Sequence, residues 1–284
     1  METSHLRLRM HIPPELQEIL IGELAEAGFS GFEQDEGILE AWIPSDRFTP
    51  DIDNHVRKWI ARYPETCRIE TQEVLQDRNW NEEWEQTIQP QTIGRFYIHP
   101  TWSADNVPAD TIPVAIDPKM SFGTGYHETT RLVLRLLPDF VRLDGNVLDM
   151  GTGTGILAIA ALKLGAGSAV GIDIDSWSYE NALENAVRND VGGRLDVRVG
   201  TAANIGENER FDLILANINL NVLLEMGETL SRLVVDSGYL LLSGILVDDE
   251  KTILNSTAYG SLNHIKTIRE NEWLAMAFQQ KQDS

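Results

Sequence analysis

The stretch from Gly145 to Asp175, GNVLDMGTGTGILAIAALKLGAGSAVGIDID, constrains the fold of this chain more than any other. A short apolar run, Val147-Leu148, ends at Asp149, and glycines follow on alternate positions at Gly151, Gly153 and Gly155. Ile156 to Leu164 is apolar, Ala-rich and strongly helix-forming. A second apolar run, Ala169 to Ile172, ends at Asp173. This reads as strand, glycine turn, helix and strand, with a carboxylate at the tip of the second strand. Glycines let a ligand approach the backbone and permit φ values that a Cβ forbids. The helix N-terminus offers unpaired N–H groups, and a carboxylate about 20 residues further on can accept both hydroxyls of a ribose. The unit as a whole predicts a nucleotide-type ligand.

Spacing then separates two ligand classes. A dinucleotide fingerprint G-x-G-x-x-G would need its third glycine where Ile156 stands. The arrangement here, G-x-G-x-G with Asp149 two residues ahead, resembles the first motif of S-adenosylmethionine-dependent methyltransferases. The nucleotide site comes from the residues; the preference for that cofactor comes from the resemblance.

The rest of the chain bounds the class. Its 284 residues suffice for a main domain and a smaller one. No apolar run approaches the ~20 residues of a membrane span. The N-terminus lacks the apolar core of a secretory signal. Cys67 is the only cysteine, so no internal disulfide is possible. A soluble cytoplasmic protein, acting as a monomer, is expected. With 23 basic against 44 acidic residues the net charge is −21. That field disfavours general nucleic-acid binding and attracts a basic protein, although solubility alone would also explain it.

In order, HLRLRMH alternates as a half-buried strand, and Pro13-Pro14 opens a helix that Gly28 stops. Two strands turn at Asp35-Glu36-Gly37; a second helix carries Val56, Trp59 and Ile60; a fourth strand follows. The order βαββαβ is the ferredoxin-like arrangement. Gln76 to Gln89 reads as a polar connector, with Trp80 and Trp84 on one face if helical. Residues 90–118 read as proline-punctuated β-structure. Glu128 to Leu137 is an expected helix behind the loop Phe122-Gly123-Thr124-Gly125. Beyond the central unit, a helix over 176–190 is expected to pack Ala182, Ala186 and Val187 on the sheet. A strand ending at Asn217, a helix, a strand over 238–246, one helix over DDEKTILNSTAY and a final hairpin turning at Glu270-Asn271 complete the chain. Alternating elements predict a mainly parallel sheet, with ligands beyond the strands' C-terminal ends. Asp149, Asp173 and Asn217 all fall at such ends.

The motifs become specific when taken together. DPKMSFGTGYHETT (117–130), VLDMGTGTGILAIAALKLGA (147–166), GIDID (171–175), LANI (215–218) and LSGIL (242–246) resemble the PrmA family of bacterial methyltransferases, as do NWNEEWEQTIQP (79–90) and IHPTW (98–102). The resemblance implies a Rossmann-like, seven-stranded class I methyltransferase sheet over 91–284. It also implies a ferredoxin-like α+β substrate-recognition domain over 1–75 and a linker over 76–90. It implies S-adenosylmethionine as cofactor and the eleventh protein of the large ribosomal subunit as the basic partner, methylated on lysine and N-terminal amines. By the same route Thr130, Gly151, Asp173 and Asn217 contact the cofactor. Phe122, Gly123, Gly125, Gly153 and Gly155 belong to the two loops that hold it. Asn217 would lie where the transferred methyl meets the acceptor amine, as the catalytic residue. The chain departs from the family in having GTGTG for the common GCGSG, Asn219 after LANI, and no glutamine after SGIL.

Such a reaction is an in-line displacement needing no metal, and six scattered histidines give no ligand cluster. Polar oxygens at Asn217 would aim the amine lone pair. His127 is weighed as a base against a loop-stabilising role, and the latter is preferred. The alternatives are a methyltransferase of RNA or a small molecule, a nicotinamide-dependent oxidoreductase, and a non-catalytic ribosome-binding module.

Overall fold

The computed structural model describes residues 4–76, 88–103, 107–119 and 121–281. The expected connector helix with Trp80 and Trp84 lies outside the described residues. The chain divides into two compact units, Met1–Glu83 and Trp84–Ser284.

In the first unit, β1 (Ser4–His11), α1 (Pro14–Glu26), β2 (Gly31–Asp35), β3 (Ile38–Pro44), α2 (Pro50–Ile60) and β4 (Arg68–Gln76) follow in order. The sheet runs β2-β3-β1-β4 and is antiparallel throughout, which is the ferredoxin-like pattern. Alternation along β1 decides its two faces. Leu6, Leu8 and Met10 enter a core with Leu20, Leu24, Val56 and Trp59. Arg7 and Arg9 point the other way and pair with Glu40, Glu70 and Glu73 across the strands.

The second unit begins with a small sheet, β5 (Gln91–Ile93), β6 (Phe96–His99) and β7 (Ile112–Ala115). The large sheet follows, from β8 (Asn146–Met150), β9 (Ser168–Asp173), β10 (Leu195–Val199), β11 (Phe211–Asn217), β12 (Val234–Leu246), β13 (Leu262–Glu270) and β14 (Trp273–Gln280). Its order is β10-β9-β8-β11-β12-β14-β13, parallel except for β14, which is antiparallel to both neighbours. This is the expected seven-stranded methyltransferase sheet. Helices α3 (Glu128–Phe140), α4 (Ile156–Lys163), α5 (Ser176–Arg188), α6 (Leu220–Leu233) and α7 (Glu250–Leu254) accompany it. The central strands, including Leu213 to Ala216, are buried along their length, as parallel strands covered on both faces must be. Every residue of α4 from Ile156 to Leu162 is buried, so its hydrophobicity runs round the helix rather than along one stripe.

Four local expectations are corrected. Val187 is 69% exposed and does not pack on the sheet. The inward stripe of α5 runs instead through Ser178, Asn181, Ala182, Asn185 and Ala186, on to Asn189. Its asparagines act as a surrogate strand. Asn189 exchanges two hydrogen bonds with the backbone of Ala115, and Asn185 and Asn181 bond the backbone of Asp117. Four polar residues on a buried face, three of them asparagines, left no clear apolar period to follow. Helix α3 passes Pro138 and reaches Phe140, whose ring meets Tyr239 edge-on at 5.1 Å. Strand β12 starts at Val234, with Ser237 at φ +60° in an irregularity before the long pairing with β11. The expected helix over DDEKTILNSTAY is a five-residue α7 between two 3-10 turns, Val247–Asp249 and Thr257–Tyr259.

Candidate active site

A cavity of about 810 Å³ opens at the C-terminal ends of β8, β9, β10 and β11, large enough for a nucleoside-sized cofactor. Met150, Gly151 and Gly153 form its floor. Asp173, Ile174 and Asp175 come from the end of β9, Gly200 to Ala202 from the end of β10, and Asn217 to Asn219 from the end of β11. Ser121 and Phe122 contribute from the preceding loop, and Val222, Glu225, Met226 and Thr229 from α6. Among these described lining residues there is no Lys, Arg or His, whereas Asp173, Asp175 and Glu225 are acidic. An acidic, cation-free wall suits a positively charged ligand and opposes a pyrophosphate.

The two glycine loops are stitched together. Thr154 N–H donates to Phe122 O at 2.9 Å, and Thr154 Oγ1 to Gly123 O at 2.5 Å. A Cβ on Gly153, at φ +52°, would sit 2.2 Å from Phe122 O, so this crossing requires glycine. Gly151, at φ +71°, likewise has no room beside Ile218. Gly155 is different: it caps α4 at φ +81° and lies against Ala182 of α5, away from the cavity wall.

Asp173 is placed to receive hydroxyls. Its Oδ2 accepts Gly153 N–H at 2.9 Å and its Oδ1 accepts Asp175 N–H at 3.1 Å. Each oxygen keeps a free lone pair for a further donor. Asn217 ends β11 and donates through Nδ2 to Thr130 Oγ1 at 3.4 Å. Its Oδ1 is buried and has no partner. Thr130 is fully buried outside the cavity wall and reaches it only through Asn217. Gly123 and Gly125 shape the loop from behind; Phe122 is exposed and lines the cavity.

His127 caps α3, its Nδ1 accepting Thr129 N–H at 3.3 Å, and its ring lies between Phe122 and Trp273 at centroid distances of 5.3 and 5.0 Å. With Nδ1 serving as the cap acceptor, the residue holds the loop and is not among the cavity-lining residues. Gly200, Thr201 and Ala202 were not singled out from sequence. Their signal was a Gly-Thr pair directly after a parallel strand, the position where such sheets place ligands. The lining residues of α6 carry no motif and are brought in only by how the helix packs. Among the described residues no group of His, Cys, Asp and Glu could hold a metal ion.

Comparison with known proteins agrees with this geometry. The family described as "Ribosomal protein L11 methyltransferase (PrmA)" matches residues 17–281. The chain belongs to the ribosomal protein L11 methyltransferase family. A relative of that name from Chlorobaculum tepidum is 39% identical, over 98% of this chain and 97% of its own. One from Porphyromonas gingivalis is 40% identical, over 94% of each. The crystal structure of a ribosomal protein L11 methylase from Lactobacillus delbrueckii subsp. bulgaricus covers 68% of this chain and all of its own, at a TM-score of 0.62 and 32% identity. The family's match spans both compact units, from within α1 to the residue after β14.

Proposed function

We propose that this protein is an S-adenosylmethionine-dependent methyltransferase of lysine and N-terminal amines on ribosomal protein L11, working in the cytoplasm as a monomer. The observation that carries the reading is an acidic cavity, with no Lys, Arg or His among its described lining residues, whose wall includes Asn217 with its Oδ1 buried and unpartnered. The glycine cradle and Asp173 fit the nucleoside part of the cofactor. When bound, the cofactor supplies an electrophilic sulfonium methyl.

The protein's own task is to position an unprotonated amine. Deprotonating a lysine of pKa about 10.4 at pH 7.4 costs roughly 4 kcal/mol. The free Oδ1 of Asn217 accepts an N–H of the incoming amine, which directs the nitrogen lone pair away from that bond and into the cavity. Thr130 holds the amide so that this oxygen, rather than the NH₂, faces the amine. Solvent accepts the amine's proton before docking, so no side chain serves as base. None of the described cavity-lining residues belongs to the first unit, and by resemblance that unit recognises the ribosomal protein.

The test is Asn217→Ala, assayed with labelled methyl donor and intact ribosomal protein, with products read by mass spectrometry. Methyl transfer is expected to fall at least a hundredfold, roughly 2.7 kcal/mol, while cofactor affinity drops less than fivefold. Equal losses in both would reduce Asn217 to a cofactor ligand.

A further inference from the structure

Asp149 is fully buried although the next two residues, Met150 and Gly151, line the cavity. Its hydrogen bonds are one-sided. Oδ2 accepts Thr152 Oγ1–H at 2.8 Å and Ala158 N–H, from the first turn of α4, at 3.2 Å. Oδ1 accepts nothing. An ionised carboxylate has about four acceptor sites to satisfy, and a buried one with a bare oxygen is poorly compensated. The charged groups on the surrounding elements give little relief. On β9, Asp173 adds a second negative charge. On β11, Asp212 lies at the opposite end of the strand and is taken up by Arg142 and Asn146 N–H. Lys163, at the far end of α4, interacts with Asp190. Asp175 caps α5. Burial, with Asp173 adding to it against the pull of Thr152 and Ala158, pushes the Asp149 carboxyl up to about 7.

We propose that Asp149 is a positioning residue that holds a proton while the cavity carries no cation and releases it to solvent when a sulfonium ligand enters. The step is a simple acid dissociation: the carboxyl O–H bond breaks, its electron pair stays on oxygen, and the buffer takes the proton. The resulting carboxylate balances the new charge and tightens on Thr152 and Ala158 N–H, which braces the glycine loop. A drop of one pH unit in the carboxyl's midpoint corresponds to about 1.4 kcal/mol of attraction to the new charge. After methyl transfer the sulfur is neutral and the carboxyl takes a proton back. The inference rests on the methyl donor proposed above.

Titration calorimetry on the full-length protein, in phosphate and in Tris at pH 7, reads the protons released per ligand. S-adenosylmethionine is expected to release about 0.4 proton more from the wild type than from Asp149→Asn, and this excess should vanish by pH 8.5. The variant comparison cancels protons that belong to the ligand's own amino group. S-adenosylhomocysteine, with no charge on sulfur, should show no such excess. Thr152→Val removes a donor that favours the carboxylate, and should move the release to higher pH; it also serves if Asp149→Asn fails to fold. Tight binding of S-adenosylmethionine with equal proton counts in wild type and variants would overturn the inference and leave the methyl donor standing. Failure to bind either ligand would overturn both.

Discussion

Asp173 is engaged with the backbone before any ribose reaches it, since it already ties Gly153 to the end of β9. Asp173→Ala therefore removes charge-assisted bonds to the ligand and loosens the loop that cradles it. At roughly 1.5–3 kcal/mol for the lost bonds, cofactor affinity should fall at least tenfold by calorimetry, with the circular dichroism spectrum unchanged. Asp149 acts in the opposite sense on stability. Its folded-state pKa is raised, so below about pH 4 the carboxyl is protonated in both states and burial of its charge costs nothing. The penalty grows from there to about pH 7 and is complete above it. Asp149→Asn should raise the thermal midpoint at pH 8, and the gain should shrink at pH 5.5. A gain independent of pH would place its origin elsewhere.

At the scale of elements, the site depends on how loops and helices are fastened to the sheet. Gly153→Ala would force its Cβ against Phe122 O, and the loop from Ser121 would have to lift away from Thr154. More than a tenfold loss of cofactor affinity is expected, with denaturant unfolding still cooperative. Asn185 is the centre of the polar face of α5: it accepts Asp117 N–H and donates to Thr154 O, so it joins that helix to both the segment after β7 and the glycine loop. Asn185→Ala strands these buried groups and should lower unfolding stability by about 2–3 kcal/mol in urea titrations. Replacing the exposed Val187 by Ala, two residues on, should change it by less than about 0.5 kcal/mol.

For the whole molecule, a net charge of −21, with the basic character proposed for the partner, predicts association that weakens with salt. KM for the ribosomal protein should rise severalfold between 50 and 300 mM salt, as the Debye length falls from about 14 to 6 Å, while kcat holds. A truncated protein beginning near Ile88 keeps Gln89, whose carbonyl accepts the Tyr126 hydroxyl at 2.7 Å beside the glycine loop. It should fold and bind S-adenosylmethionine as the full chain does. It should also methylate the ribosomal protein with a much higher KM. Methylation at the full-length KM would refute the recognition role proposed for the first unit.

Much of this was legible in the residues alone. Period-two alternation in β1, the continuous apolar runs of β8 and β11 and the glycines between β8 and α4 are local patterns. Local patterns suffice to specify a strand, a turn and the end of the sheet where a ligand sits, because backbone sterics and side-chain period are properties of short segments. The nucleotide-type site was read from the residues themselves, whereas the choice of S-adenosylmethionine and of a protein amine as its acceptor came from motif resemblance. Three things awaited the tertiary structure. The inward face of α5 is asparagine, which counts as polar until the bare backbone of Ala115 and Asp117 is brought against it. The lack of basic residues among the cavity's described lining is a sum over segments far apart in the chain. The one-sided bonding of Asp149 follows from burial, which no neighbour in sequence reveals. Sequence alone determined which segments meet the ligand's end of the sheet; only packing decided which polar atoms there are paired and which are left free, because pairing and desolvation depend on groups that the chain brings together from a distance.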